Sequence, residues 1–471
     1  MKILLVSTEV NPYSKSGGLG DVAGSLPKAL RDKGADMRVV MPLYKSVPAN
    51  LLVGIRKVCS FPVQLGWRTQ TATVFTIDDE IYFIKNDHYF TRDGVGYYGH
   101  SDDFERFAFF TKAAVEMPGQ IDFRADILHF NDWHTGLGPT YLRDIYGKFT
   151  YYSKMRSLFT IHNLHYQGIF GREVLPDIGL DDGYYSDMEF HGNISFLKAG
   201  IAHADAVSTV SRTYAQEIQT PAYGYGMEGL LRGRGTIYGI TNGIDTEVND
   251  PKTDPRIYVN FTARSLKKKR ENKYRLQQEL GLPQSDAPLL GIVSRLAEQK
   301  GFDILSIIMD ELCGMDIQLA VLGTGEERYE NMLRHLAGRF PHKVSANITF
   351  DATLAQRIYA GADIFLMPSV YEPCGLGQLF AMRYGTIPVV RKTGGLADTV
   401  MHFDGKNGNG FLFEDYVASG LMWAIRQALD VYDTPAWVRI IKNAMSKDYS
   451  WQQAAGEYLC LYREIVKYAV T

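Results

Sequence analysis

Cysteine is scarce. Cys59, Cys313, Cys374 and Cys460 are the four in 471 residues, with no Cys-x-x-Cys pair and no framework spacing. This excludes a disulfide scaffold and suits a reducing cytosol. An excess of charge of one sign is also missing, because 50 Lys and Arg stand against 53 Asp and Glu. The resulting net charge of −3 gives no global field toward nucleic acid or an anionic membrane. No apolar run approaches a membrane span. The first such run, residues 3–6, is too short for a signal peptide, and Glu9 ends the apolar segment. A cytoplasmic protein without nucleic-acid or membrane partners is expected. Several catalytic signatures are absent as well. Gly17, Gly18 and Gly20 do not fit G-x-G-x-x-G, and after Gly323-Thr324-Gly325 the third glycine's place is taken by Arg328. There is no Walker A sequence and no H-E-x-x-H. A nicotinamide enzyme, an ATPase and a zinc hydrolase all lose ground, and no metal is expected.

What is present is a globular composition, 45% hydrophobic and 22% charged, with aromatics at an unusual 12%. The length is too great for one core and comfortable for two domains. Residues 2–10 read as a buried strand, 22–33 as a helix ended by Gly34, and 37–41 as the next strand, which is one βαβ unit and implies a parallel sheet. Further strands are expected at 126–130, 157–161, 206–210 and 236–241. A loop rich in Asp, Asn and Pro follows at 245–255, then a basic run at 267–270 that reads as a solvated helix face. A second βα series occupies 289–294, 318–323, 347–350, 364–368 and 387–390. The expectation is α/β: two doubly wound lobes facing an interdomain cleft, with ligands beyond the carboxyl ends of the strands. The lobes are expected at 1–245 and 246–447, with 448–471 a final helix whose apolar face packs back on the first lobe.

One pattern repeats. Lys15-Ser16-Gly17-Gly18-Leu19-Gly20-Asp21 recurs as Lys392-Thr393-Gly394-Gly395-Leu396-Ala397-Asp398, each copy between a strand and a helix. Glycines there let backbone N–H groups approach an anion, and the lysine adds a full charge. Arg295 and Lys300 leave a strand at its ligand edge and could clamp a diphosphate. Glu372, ahead of Pro373-Cys374-Gly375-Leu376, can accept sugar hydroxyls. In the first lobe, Asn131-Asp132-Trp133-His134 and His162-Asn163-Leu164-His165 also end strands, a mixture suited to carbohydrate recognition.

Together these pieces resemble the bacterial glycogen synthases and plant starch synthases. The resemblance rests on KSGGLGD at 15–21, NDWHTGL at 131–137, TIHNLHYQG at 160–168, ITNGID at 240–245, SRLAEQKG at 294–301, LGTGE at 322–326, EPCGLGQ at 372–378 and KTGGLADTV at 392–400. It implies a retaining GT-B glycosyltransferase, without a cofactor, that moves glucose from ADP-glucose to the non-reducing end of an α-1,4-glucan. It further implies that Lys15, Gly17, Gly18, Asp21, Asn242, Arg295, Lys300, Phe350, Glu372, Cys374, Gly375 and Leu376 meet the donor. His162, Asp132, Arg295, Lys300 and Glu372 would serve the reaction, and Tyr97, Trp133 and Asn163 the acceptor. A phosphorylase, a sugar-nucleotide epimerase and a silent glucan-binding protein are the alternatives. The last would be expected to have lost Lys15, Arg295, Lys300 or Glu372, all of which are present.

Overall fold

A computed structural model describes residues 1–92 and 97–467. Among the described residues the chain divides into two compact units, one holding Met1–Gly243 and the helix Trp451–Lys467, the other Ile244–Ser450.

In the first unit the strands are β1 (Lys2–Val6), β2 (Asp36–Pro42), β3 (Arg56–Leu65), β4 (Arg68–Ile77), β5 (Ile81–Lys85), β6 (Ile127–Asn131), β7 (Arg156–Ile161), β8 (Ile169–Phe170), β9 (Glu189–Phe190), β10 (Asn193–Ser195), β11 (Ala206–Thr209) and β12 (Ile237–Gly239). Nine of these form one sheet in the order β12-β11-β7-β6-β1-β2-β5-β4-β3. From β12 to β5 the pairings are parallel, while β4 and β3 add antiparallel edge strands. The central strand is buried from Ile3 to Val6, because helices cover both faces of the sheet. From β1 the chain works outward through β2 to β5 and then returns to β6 on the other side of β1. The β1/β6 junction is therefore a topological switch point, where loops diverge and leave room for a ligand.

In the second unit the strands are β13 (Leu289–Val293), β14 (Gln318–Leu322), β15 (Val344–Asn347), β16 (Ile364–Met367), β17 (Ile387–Arg391) and β18 (Phe411–Phe413). Their order is β15-β14-β13-β16-β17-β18, all parallel, with a switch point between β13 and β16.

Several boundaries differ from the sequence reading. The first strand stops at Val6: Ser7 N–H still donates to the Val40 carbonyl at 3.1 Å, and beyond it the chain turns, with the Ser7 hydroxyl on the Glu9 carbonyl at 2.7 Å. The helix expected from residue 22 starts at Gly18, so Gly18 to Asp21 form its first turn, where an acidic residue suits the helix dipole. The strand expected at 347–350 is instead Val344–Asn347. Asp351 caps the next helix, Ala352–Gly361, by accepting from Thr353 and Leu354 N–H, and Phe350 is left 86% exposed in the turn between them. The basic run is not wholly solvated either. Lys269 is buried and its ammonium reaches the carbonyls of Ala360 and Ala362 at 2.9 Å each and the Thr386 hydroxyl at 2.8 Å. Burial lowers its pKa to about 7.

The C-terminal helix Trp451–Lys467 belongs to the first unit, with Tyr458, Leu461 and Tyr462 buried in that unit's core. Tyr462 OH lies 2.8 Å from Nδ1 of His129 on β6, whose Nε2 lies 2.6 Å from Thr160 Oγ1 on β7. Thr160 Oγ1 continues to Ser208 Oγ on β11 at 2.7 Å, so one polar chain runs beneath the strands that carry the site.

Candidate active site

At the first switch point three loops meet. The one after β1 carries Glu9, whose buried carboxylate accepts Ser16 N–H, Gly17 N–H at 3.3 Å, Ser16 Oγ–H at 2.7 Å and Tyr98 OH. Lys15 Nζ lies 2.7 Å from Asp21 Oδ1, the lysine exposed and the carboxylate partly buried. Burial pushes the Asp21 carboxyl up, against the pull of Lys15.

The loop after β6 holds Asp132 at φ 56°, ψ 177°, a region almost reserved for glycine. Its Oδ1 accepts the backbone N–H of His162 at 2.7 Å and of Asn163 at 3.4 Å, which locks the β6 and β7 loops together. Desolvation is the main cause that raises the Asp132 pKa to about 7, while those N–H groups oppose it. The strained backbone and the buried acid at one residue mark a built site.

Asn131 donates both amide hydrogens to backbone carbonyls, of Val6 and His129, at 3.1 Å each. Its Oδ1 must therefore accept from His162 Nε2 at 2.9 Å. That fixes the Nε2–H tautomer and leaves Nδ1 as the acceptor. Burial lowers the His162 pKa to about 3, so the ring is neutral at neutral pH. His134 is also held neutral by burial and by Arg106, and stacks on Tyr98 at 4.3 Å and against Trp133 at 4.1 Å. Gly168, at φ 57°, lets its loop cross Trp133: a Cβ there would come 2.3 Å from the ring.

At the second switch point, Lys300 Nζ sits 2.7 Å from Glu372 Oε2 with little of either side chain exposed, and Ser369 Oγ donates to the same oxygen at 3.0 Å. Arg295 is braced by Gln299 at 3.1 Å. Gly301, at φ 82°, allows the chain after Lys300 to lie on the Pro368 carbonyl, where a Cβ would come within 2.1 Å. The cations after β13 and the carboxylate after β16 thus meet across the switch point.

The two glycine pairs differ. A Cβ at Gly394 would come 2.0 Å from the Glu372 carbonyl oxygen and one at Gly395 would come 2.1 Å from that of Cys374. The second pair is required because the 372–378 and 392–398 loops pack backbone to backbone. A Cβ at Gly17 or Gly18 meets nothing within 4 Å. No packing requires glycine there, and the space is open to a ligand.

The remaining sequence-derived residues are dispersed. Cys374 is buried and its carbonyl accepts from Gln378 Nε2 at 3.1 Å. Gly375 has φ 71° beside Gln378, and Leu376 is the N-cap of the helix Gly377–Arg383. Asn242 is buried, its Oδ1 without a hydrogen-bond partner among the described residues. Tyr97 is half-buried against Tyr44 at 4.9 Å, and Asn163 Oδ1 accepts from His165 N–H at 3.1 Å. Glu9, Tyr98 and Ser369 went unread in the sequence as site residues; a lone acid at the end of an apolar strand was the signal available for Glu9. Among the described residues no group of three or more His, Cys, Asp or Glu is placed to hold a metal, and no helix is long and apolar enough to cross a membrane.

The chain is similar to known proteins along nearly its whole length. The family described as starch synthase catalytic domain matches residues 2–233, and that described as glycosyl transferases group 1 matches residues 275–447. A glycogen synthase of Clostridioides difficile (strain 630) is 47% identical over 479 residues, covering 99% of this chain and 100% of its own. One from Desulforudis audaxviator (strain MP104C) is 48% identical over 491 residues, covering 99% and 97%. The solved catalytic domain of starch synthase IV from Arabidopsis thaliana, bound to ADP and acarbose, is similar with a TM-score of 0.92 at 32% identity over 99% of each chain. Matched in sequence and in fold along nearly its whole length, the chain belongs to the glycogen and starch synthase family of GT-B glycosyltransferases.

Proposed function

We propose that this enzyme transfers glucose from ADP-glucose to the non-reducing end of an α-1,4-glucan, with retention, in the cytoplasm. The observation that carries the reading is the Lys300–Glu372 pair at the β13/β16 switch point, with Arg295 on the same strand end. Two cations suit the donor's diphosphate, and a carboxylate suits the hydroxyls of its glucose. Residues 246–447 are the nucleotide-sugar side, with Phe350 offering an exposed ring to adenine and Cys374, Gly375 and Leu376 lining the glucose. Residues 1–245 are the acceptor side, with Tyr97, Trp133 and Asn163 as glucan contacts and Asn242 as a further donor contact.

The reaction breaks the bond from glucose C1 to the diphosphate and forms one from C1 to the acceptor's O4 on the same face. The acceptor proton passes to the departing phosphate oxygen. Negative charge grows on the diphosphate, where Arg295, Lys300, Lys15 and the loop amides stabilise it. His162, neutral and with Nδ1 as acceptor, orients a sugar hydroxyl and does not carry the proton across neutral pH. Asp132 holds the His162 and Asn163 backbone in place and stabilises positive charge on the sugar when ionised. The test is proton NMR of ADP-glucose with a maltooligosaccharide primer. New α-1,4 signals growing as ADP appears support the reading; a β-linked product, or only free glucose, overturns it.

A further inference from the structure

We propose that Glu9 is an internal anion that competes with the donor's diphosphate for the backbone N–H groups of the 15–21 loop, and so sets how tightly the nucleotide product is held. The inference rests on reading that loop as a diphosphate seat. Three of the groups that would greet an anion there are already held by carboxylates of this chain. Glu9 takes the N–H groups of Ser16 and Gly17, at the start of the 15-residue helix Gly18–Asp32, and Asp21 takes the ammonium of Lys15. Backbone N–H groups at a helix start are the donors that phosphate uses, and a carboxylate occupies them for the same electrostatic reason.

Glu9 is fixed for this part. It is 3% exposed, and Ser16 Oγ at 2.7 Å and Tyr98 OH hold its second oxygen. Space beside it remains open, since Gly17 and Gly18 present no side chain and nothing lies within 4 Å of where one would be. A diphosphate in that space lies beside a buried negative charge, which repels it most strongly in a site shielded from water. Burial is the main cause that raises the carboxyls of Asp21 and Asp132, and the Glu9 charge adds to it. An enzyme that leaves a more negative nucleotide behind after each transfer gains turnover from a seat that does not hold it too well.

Glu9→Gln separates charge from shape. The amide oxygen still accepts from the loop, and the amide nitrogen donates to Ser16 and Tyr98, whose hydroxyls can reverse. The measurement is calorimetric titration of ADP into the intact protein, wild type beside Glu9→Gln and Lys15→Ala, with each melting temperature recorded. Glu9→Gln is expected to bind ADP about threefold or more tightly, and product inhibition by ADP strengthens with it. Lys15→Ala is expected to bind ADP more weakly. Unchanged or weaker ADP binding in Glu9→Gln, with Lys15→Ala weaker, overturns the competition and leaves the diphosphate seat standing. Unchanged binding in Lys15→Ala overturns the seat itself. If Glu9→Gln fails to fold, Glu9→Met, neutral and of equal length, carries the same expectation.

Discussion

His162 donates its Nε2–H to Oδ1 of Asn131 at 2.9 Å, and Asn131 spends its own amide hydrogens on the carbonyls of Val6 and His129. The imidazole is thus held in one tautomer from below. Asn131→Leu leaves a buried N–H unpaired and costs about 1–3 kcal/mol of stability. It also frees the tautomer, so kcat falls while KM for the donor changes little. Nitrogen-15 NMR of His162 reads this directly: one Nε2–H tautomer in the wild type, a mixture in the variant.

The glycine pairs make opposite demands. Gly394→Ala drives a Cβ to 2.0 Å from the Glu372 carbonyl at a φ of 45°, and is expected to lower the melting temperature sharply, at about 1–3 kcal/mol or more. Gly18→Ala, at the first helical position with nothing within 4 Å, is expected to leave stability unchanged or slightly raised. Its effect is on the donor: KM for ADP-glucose rises because the new methyl fills the open space.

Lys300 and Glu372 form a largely buried pair, with side-chain exposures of 15% and 8%. Lys300→Ala removes a donor to the leaving diphosphate, and kcat is expected to drop by about 10²–10³-fold. Glu372 is then left buried with Ser369 at 3.0 Å, so a lower melting temperature accompanies the rate loss. Lys300→Arg recovers part of the rate, and steady-state kinetics on the three proteins checks the order.

Burial sets the pH response of the first unit. His129 and His162 each have their pKa lowered to about 3 in the folded state, against about 6.5 unfolded. Between those values the unfolded chain binds protons that the native one refuses, so stability falls as pH drops from about 6.5 toward 3. Asp132 acts oppositely: its pKa of about 7 means the native state holds a proton the unfolded state releases, so its contribution falls as pH rises from about 4 to 7. The melting temperature is expected to rise with pH from 4 to 7 because four histidines of this unit with lowered pKa, His129, His134, His162 and His203, outnumber its three raised carboxyls, Asp21, Glu116 and Asp132. His129→Gln flattens that rise and Asp132→Asn steepens it, as scanning calorimetry across the range would record.

The parallel sheets were legible because β1, β6, β13 and β16 are nearly continuous apolar runs followed by glycine or polar loops. The placement of Arg295, Lys300 and Glu372 at strand ends was legible because each lies in the loop that follows such a run. What local pattern could not carry is contact across the chain. Tyr98 reaches Glu9 over 89 positions and Asn131 reaches His162 over 31, and neither pair has a periodic signature. The two Gly-Gly loops looked equivalent in sequence. Only the nearness of the Glu372 and Cys374 carbonyls shows that one pair serves packing and the other leaves space. Lys269 read as one cation in a solvated run, because nothing in its neighbours announces the three acceptors that bury it.

Incorporation of labelled glucose into glycogen, with ADP-glucose and UDP-glucose as parallel donors, decides whether this chain is a glucosyltransferase and which donor it takes. Robust incorporation from ADP-glucose, weak incorporation from UDP-glucose and collapse of both in Lys300→Ala are expected. Preference for UDP-glucose would contradict the donor assignment. No incorporation from either by folded protein that still binds glycogen would contradict glucosyl transfer itself.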